Sequence, residues 1–176
     1  LYKFGTTGSG ANQFRTPIGI AASGDPAVIY VADTNNHRVS VYAETCGTNC
    51  VTLVGNIGTG SPGNADGQFS QPFGVDITFE ENTDTVCPGF YAVLYVADYG
   101  NNRVQKFKAN PCFLPSFPGS FDRKWSINGQ PFKTKVAPNG NVYTVTSVGT
   151  PVTVNTPTGA LVTTWGASGS NNGEFR

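Results

Sequence analysis

The side chains best suited to chemistry are Asp33, Asn36 and Arg38, which recur as Asp98, Asn101 and Arg103. A carboxylate, an amide and a guanidinium at the spacing Asp-x2-Asn-x-Arg admit two uses. As a site, the carboxylates would be general acids or bases. As structure, Asp and Asn bond the backbone of a tight turn, and an Arg two residues beyond the Asn reaches the Asp carboxylate as a charge-assisted fork. Recurrence decides between them, because a catalytic set is needed once and a turn clamp in every copy. In a third copy Thr146, Gly149 and Pro151 take the three places, yet the strand pattern around them survives. The set reads as a structural turn clamp, with no catalytic residue.

Other candidates are weaker. One histidine, His37, supports neither a Ser-His-Asp arrangement nor a multi-histidine metal centre. Gly58-Thr59-Gly60 is followed by no Gly-Lys-Ser/Thr and by no helix to hold an anion. Glu80-Glu81-Asn82-Thr83-Asp84 offers oxygen to calcium but lacks the spaced ligands of a calcium loop, so a solvated tip is expected. Phe14, Phe69 and Phe175 recur at a turn and suit packing between repeats. They are not base-stacking platforms, since no basic groove accompanies them. No metal, cofactor or catalytic group is expected.

The elements that carry these residues repeat. Ile29 to Tyr42, Leu94 to Phe107 and Val142 to Asn155 each read as strand, polar turn, strand. A small-residue apolar strand precedes each, beginning at Pro17, Pro72 and Pro131, and another strand follows. No segment shows the 3.6-residue apolar period of a helix, so the chain is all-β. Four-stranded units repeated around an axis are β-propeller blades. Blade 1 is expected at about 16–55, blade 2 at about 71–126 and blade 3 at about 131–166. Leu1–Gly5 would be the outer strand of a preceding blade, and the segment after Gly166 a fresh copy of the loop at Gly8–Arg15. The competing parallel β-helix has shorter, more uniform coils.

Charged residues are 12% of the chain, half the roughly 25% of an ordinary soluble domain, and formal net charge is zero. The longest basic cluster is Arg123-Lys124, which argues against nucleic acid or an anionic membrane as partner. No apolar run approaches the ~20 residues of a membrane span, and neither a signal peptide nor an initiating Met is present, as in a mature or excised segment.

The run Phe-Gly, Gly-Ser-Gly, Gln-Phe, Pro-x-Gly-Ile and Tyr-Val-Ala-Asp-x-x-Asn-x-Arg-Val resembles the NHL repeat, most closely at Asn35-Asn36-His37-Arg38-Val39. The resemblance covers essentially the whole chain. It implies a propeller, usually six-bladed, that binds proteins, RNA or other ligands. A peptide-amidating lyase in this family uses metal-ligating histidines, which a chain holding only His37 cannot supply. The function expected is a non-enzymatic extracellular binding or structural assembly module, engaging protein partners or neighbouring copies. The alternative is part of a lyase or hydrolase propeller whose site lies mostly elsewhere. Any ligand is expected on the glycine-loop face, near Asn12, Phe14, Arg15, Gln68 and Phe69.

Cys46, Cys50, Cys87 and Cys112 are even in number and lack paired zinc spacing, so disulfides in an oxidising compartment account for them best. In a four-stranded meander all four fall in connections at one end, opposite the glycine loops. Cys87 and Cys112 share a blade, which favours Cys46–Cys50 and Cys87–Cys112, although the other two pairings stay open. Mass spectrometry after non-reducing digestion should recover these two bridges; a Cys50–Cys87 peptide would refute the assignment.

Overall fold

The computed structural model describes residues 3–23, 28–44, 51–82, 89–109, 119–147, 151–172 and 174–175. The four cysteines lie outside them. β1 (Thr6–Thr7) and β2 (Gln13–Phe14) form a two-residue parallel ladder within the first glycine loop. Blade 1 follows as β3 (Pro17–Ser23), β4 (Val28–Asp33), β5 (Arg38–Glu44) and β6 (Val51–Ile57). Blade 2 is β7 (Pro72–Asn82), β8 (Gly89–Asp98), β9 (Arg103–Ala109) and β10 (Ser120–Ser126). Blade 3 is β11 (Pro131–Val136), β12 (Val142–Thr146), β13 (Val152–Asn155) and β14 (Leu161–Trp165). A second parallel ladder joins β15 (Ala167–Ser168) to β16 (Glu174–Phe175). Each blade is an antiparallel meander in chain order, the architecture of a propeller blade.

The repeat register differs from the sequence reading in one respect. β6 runs on to Ile57, and Gly58 packs against Phe69 as Gly5 packs against Phe14. Gly5 therefore corresponds to Gly58, just beyond the expected end of blade 1 at about 55, and Phe4 to Ile57. Lys3–Gly5 form no ladder with any described strand; Phe4 lies on Tyr42 and Phe14, with ring centroids 4.9 and 6.1 Å away. The insertion after Thr78 is likewise no simple tip. Phe79–Asn82 pair with Gly89–Ala92, so it lengthens the first two strands of blade 2 into a hairpin arm.

Two seams hold the blades together. Between blades 1 and 2, Tyr30, Val39, Val41 and Ile57 pack on Phe69, Leu94, Val96 and Phe107. Burying each such side chain contributes about 1.5–3 kcal/mol. Between blades 2 and 3, Val93, Tyr95, Val104 and Trp125 meet Val142 and Val136. The inner strands approach backbone to backbone. A Cβ on Gly19 would lie 2.3 Å from the Phe73 carbonyl oxygen, and one on Gly74 would lie 2.7 Å from the Lys133 Cα. The Pro-x-Gly of strand one is thus an interblade requirement, because backbone cannot move aside as a side chain end can.

The second seam is the more polar. Thr134, Thr144 and Thr153 pair across β11, β12 and β13, and their register puts them on the same face as Val142, toward blade 2. All three hydroxyls are buried without a hydrogen-bond partner. A buried unsatisfied hydroxyl is a cost of about 1–3 kcal/mol. Opposite effects at one seam follow. Gly74→Ala should lower the urea midpoint by the equivalent of about 2–3 kcal/mol through overpacking, whereas Thr144→Val should raise it by about 1 kcal/mol. Equal midpoints for both variants would contradict this account of the seam.

Candidate functional site

The clamp residues sit where β4 turns into β5 and β8 into β9. Each turn is a single 3-10 segment, Thr34–Asn36 or Tyr99–Asn101, closed by a left-handed residue, His37 (φ 51) or Asn102 (φ 51). The carboxylates cap no backbone N–H of their own turns. Asp33 Oδ1 instead accepts the Arg15 N–H at 2.7 Å, from the loop before the blade, while Oδ2 accepts Asn36 Nδ2 at 2.8 Å and Arg38 Nε at 2.9 Å. Asp98 repeats this with the Ser70 N–H (2.8 Å), Asn101 Nδ2 (2.8 Å) and Arg103 Nε (2.7 Å), and adds Gln105 Nε2 at 3.2 Å. Both carboxylates are fully buried.

The arginine meets its carboxylate through Nε only; the fork grips the glycine loop. Arg103 Nη1 donates to the Asn64 carbonyl at 2.7 Å, and Nη2 to those of Ala65 (3.1 Å) and Gln68 (2.8 Å). Arg38 does the same with Ser9, Gly10 and Gln13. Asn36 and Asn101 reach the Gly8 and Gly63 carbonyls. The set is therefore as much a loop clamp as a turn clamp. Blade 3 bears this out by subtraction: its preceding loop is shortened to Ile127–Gln130, and the three clamp residues are missing from the same blade. Loop and clamp are lost together.

The loop residues divide sharply. Phe69 is fully buried against Phe107 at 5.7 Å, so it offers nothing to a ligand, and Phe14 packs on Tyr42 at 5.8 Å. The Gln68 side chain accepts the Ala65 N–H within its own loop, as Gln13 accepts that of Gly10. Asn12 and Arg15 have exposed side chains. Glu174 stands in the place of Gln13, and the hydrogen bond it accepts from the Asn171 N–H holds its carboxyl below the usual range.

His37 lies at a blade junction, where its Nδ1 accepts the Gln71 N–H at 3.1 Å, and Thr34 Oγ1 donates to the Pro72 carbonyl at 2.7 Å. Glu80 is occupied by Lys106 and by Lys108, the latter at 2.8 Å. Burial pushes its carboxyl up, but the two ammonium groups outweigh that and hold it below the usual range. It is committed to lysine rather than free for calcium. Burial also raises the Tyr95 phenol beside this cluster, and that of Tyr30 to about 12. Among the described residues no three His, Cys, Asp or Glu side chains converge as a metal site.

Three features escaped the sequence. Asp76 bridges the inner strands of blades 2 and 3, accepting from Lys135 Nζ at 2.6 Å and the Val136 N–H at 2.8 Å. Gln105 joins the clamp and the loop, holding the Gly67 N–H and the Gln68 carbonyl; its only sequence signal is that Ser40 fills the matching place. Phe73 stacks on Tyr99 at 4.1 Å, and the x of Pro-x-Gly was the available clue.

Meanders of four strands packed side by side through their inner strands define a β-propeller-type repeat protein. The family model for the NHL repeat matches residues 14–42. The chain is 30% identical over 120 residues to NHL repeat-containing protein 2 of Bos taurus, a match over 67% of this chain and 15% of that protein. A solved structure of a Bacteroides fragilis protein assigned as exported superposes with a TM-score of 0.53, at 12% identity, over 93% of this chain and 40% of that one. The chain belongs to the NHL-repeat family. It spans well under half the length of either of these two proteins.

Loosening the clamp should separate its two duties. Arg103→Ala leaves a buried carboxylate unpaired and should cost about 3–5 kcal/mol. Arg103→Lys keeps a charge but loses the fork, and should cost less while speeding hydrogen exchange at Gly63 and Gln68. Unchanged exchange in the Lys variant would show that the loop does not depend on the guanidinium.

Proposed function

We propose that this chain is a non-enzymatic extracellular module that binds protein partners through its glycine-loop face. One observation carries the reading. The repeated Asp, Asn and Arg side chains, the natural candidates for chemistry, spend their hydrogen bonds on the protein's own loops and turns, with both carboxylates sealed from solvent. What they build is a rigid platform of loops, and loops fixed by a scaffold are where binding residues concentrate. Low charge and four cysteines favour an oxidising, extracellular setting, and the Bacteroides fragilis protein assigned as exported is in keeping with it. Among the described residues no helix is long and apolar enough to cross a membrane.

The open side of blade 1 supports contact with a further blade. Ile20, 68% exposed, holds the place of Val75, which blade 1 covers in blade 2. A neighbouring copy fits this side less well than a foreign blade, because Lys133 occupies the position where Gly19 and Gly74 admit the next inner strand.

A photo-crosslinking residue at Asn12 or Asp66 should capture protein from the secreted fraction of the host, and one at Glu81, at the opposite end, should not. Equal capture from both ends would defeat the loop-face reading. Light scattering on the isolated chain should show no closed dimer; a stable dimer that Ile20→Lys dissolves would instead establish assembly from neighbouring copies.

A further inference from the structure

The inner strand of every blade breaks register at the same place: between Pro17 and Gly19, between Pro72 and Val75, and between Pro131 and Lys133. A bulge leaves a residue outside the ladder and re-aims its side chain, and bulges are over-represented next to functional sites. The residues so released are Ile18, Phe73 and Phe132. They converge at the clamp end of the inner strands, because Pro17 and Pro72 pair with Asp33 and Asp98. Phe73 is fixed from two sides, stacked on Tyr99 at 11° and edge-on to Phe132 at 5.2 Å. Ile18 and Phe132 keep 43% and 47% of their surface exposed. Together with Gly19, Gly74 and Lys133 they line a cavity of ≈ 220 Å³.

Size and charge narrow the occupant. Sites for whole small molecules run to roughly 300–1,000 Å³, so this cavity suits one large apolar side chain. Lys133 is exposed at its edge and pairs with no carboxylate among the described residues. Arg15, a second described cation without a carboxylate partner, lies at the same end of the blades. Of the described carboxylates without a cation, Glu44 and Glu81 lie at the opposite end, and Glu174 lies in the last loop with its oxygen taken by the Asn171 N–H. The residues that line the cavity include one cation, Lys133, and no carboxylate, so its mouth favours an acidic neighbour.

We propose that this cavity is the anchor pocket of the loop face, and that it takes an aromatic or large aliphatic side chain of an extended peptide whose next residue is acidic, with Lys133 meeting the carboxylate. The assignment rests on the loop-face reading and adds the partner's chemistry to it.

The test is a titration of the isotope-labelled chain with acetyl-Gly-Phe-Asp-Gly-amide, followed at the backbone amides. Saturable shifts are expected at Gly19, Gly74 and Lys133, with a dissociation constant on the order of 1 mM for a single anchor. Replacing the peptide's Phe by Ala should weaken binding about tenfold, and Phe132→Ala, at a half-exposed position, should do the same without unfolding the blade. Lys133→Gln should erase the preference for the Asp peptide over its Asn counterpart. Equal affinity for the Phe and Ala peptides, or no saturable shift, would overturn the pocket. Shifts confined to Gly8–Phe14 and Gly63–Phe69 would also overturn it while leaving the loop-face reading intact.

Discussion

A carboxylate cannot remain charged in a protein interior unless donors replace the water it has lost. Asp98 meets that demand with four donors drawn from a loop, a turn and the strand beyond it, and Asp33 with three. Because the donors come from segments far apart in sequence, satisfying one carboxylate fixes all of them relative to one another. The loop before the blade, the β-turn within it and the third strand become one body. The arginine extends this network outward, its single Nε bond to the carboxylate leaving both terminal nitrogens for loop carbonyls.

The interblade contact obeys a different constraint, one of distance rather than charge. Inner strands close to backbone contact at Gly19 and Gly74, and the aliphatic residues beyond them then interlock. Farther along the inner strands, Asp76 replaces apolar contact by an ion pair and an N–H bond between blades 2 and 3. That seam also holds the unsatisfied threonines, so its cohesion rests on fewer apolar side chains than the first. The position of Thr153 is filled in blade 2 by Gln105, whose amide bonds the glycine loop. With the loop shortened in blade 3, the polar residue has kept its place but not its partner.

Much of this was legible in the chain. Alternating apolar residues, Gly and Pro punctuation and the repeated Asp-x2-Asn-x-Arg gave four strands per unit and three units in order. The same repetition favoured a clamp over a catalytic set, but the turn alone was taken as the object of the clamp. Spacing along a sequence displays partners a few residues away, such as Asp33 and Arg38. It is silent on Ser9 and Gly10, whose carbonyls reach Arg38 only after the loop folds back. Phe69 was placed on a ligand face for the same reason: its loop is exposed, yet its ring turns inward against Phe107. Ile18, Phe73 and Phe132 went unnoticed because a bulge, which alternation does not encode, decides where they point.

The joint disappearance of a loop and its clamp from blade 3 has a geometric consequence. A ring of identical blades looks the same after each rotational step, so a partner landing on it would find several equivalent settings. A blade stripped of its loop breaks that equivalence and marks one sector as lower than its neighbours. The loop end of the three blades therefore steps from two clamped loops to a bare turn, and its outline is set as much by what the repeat has deleted as by what it keeps.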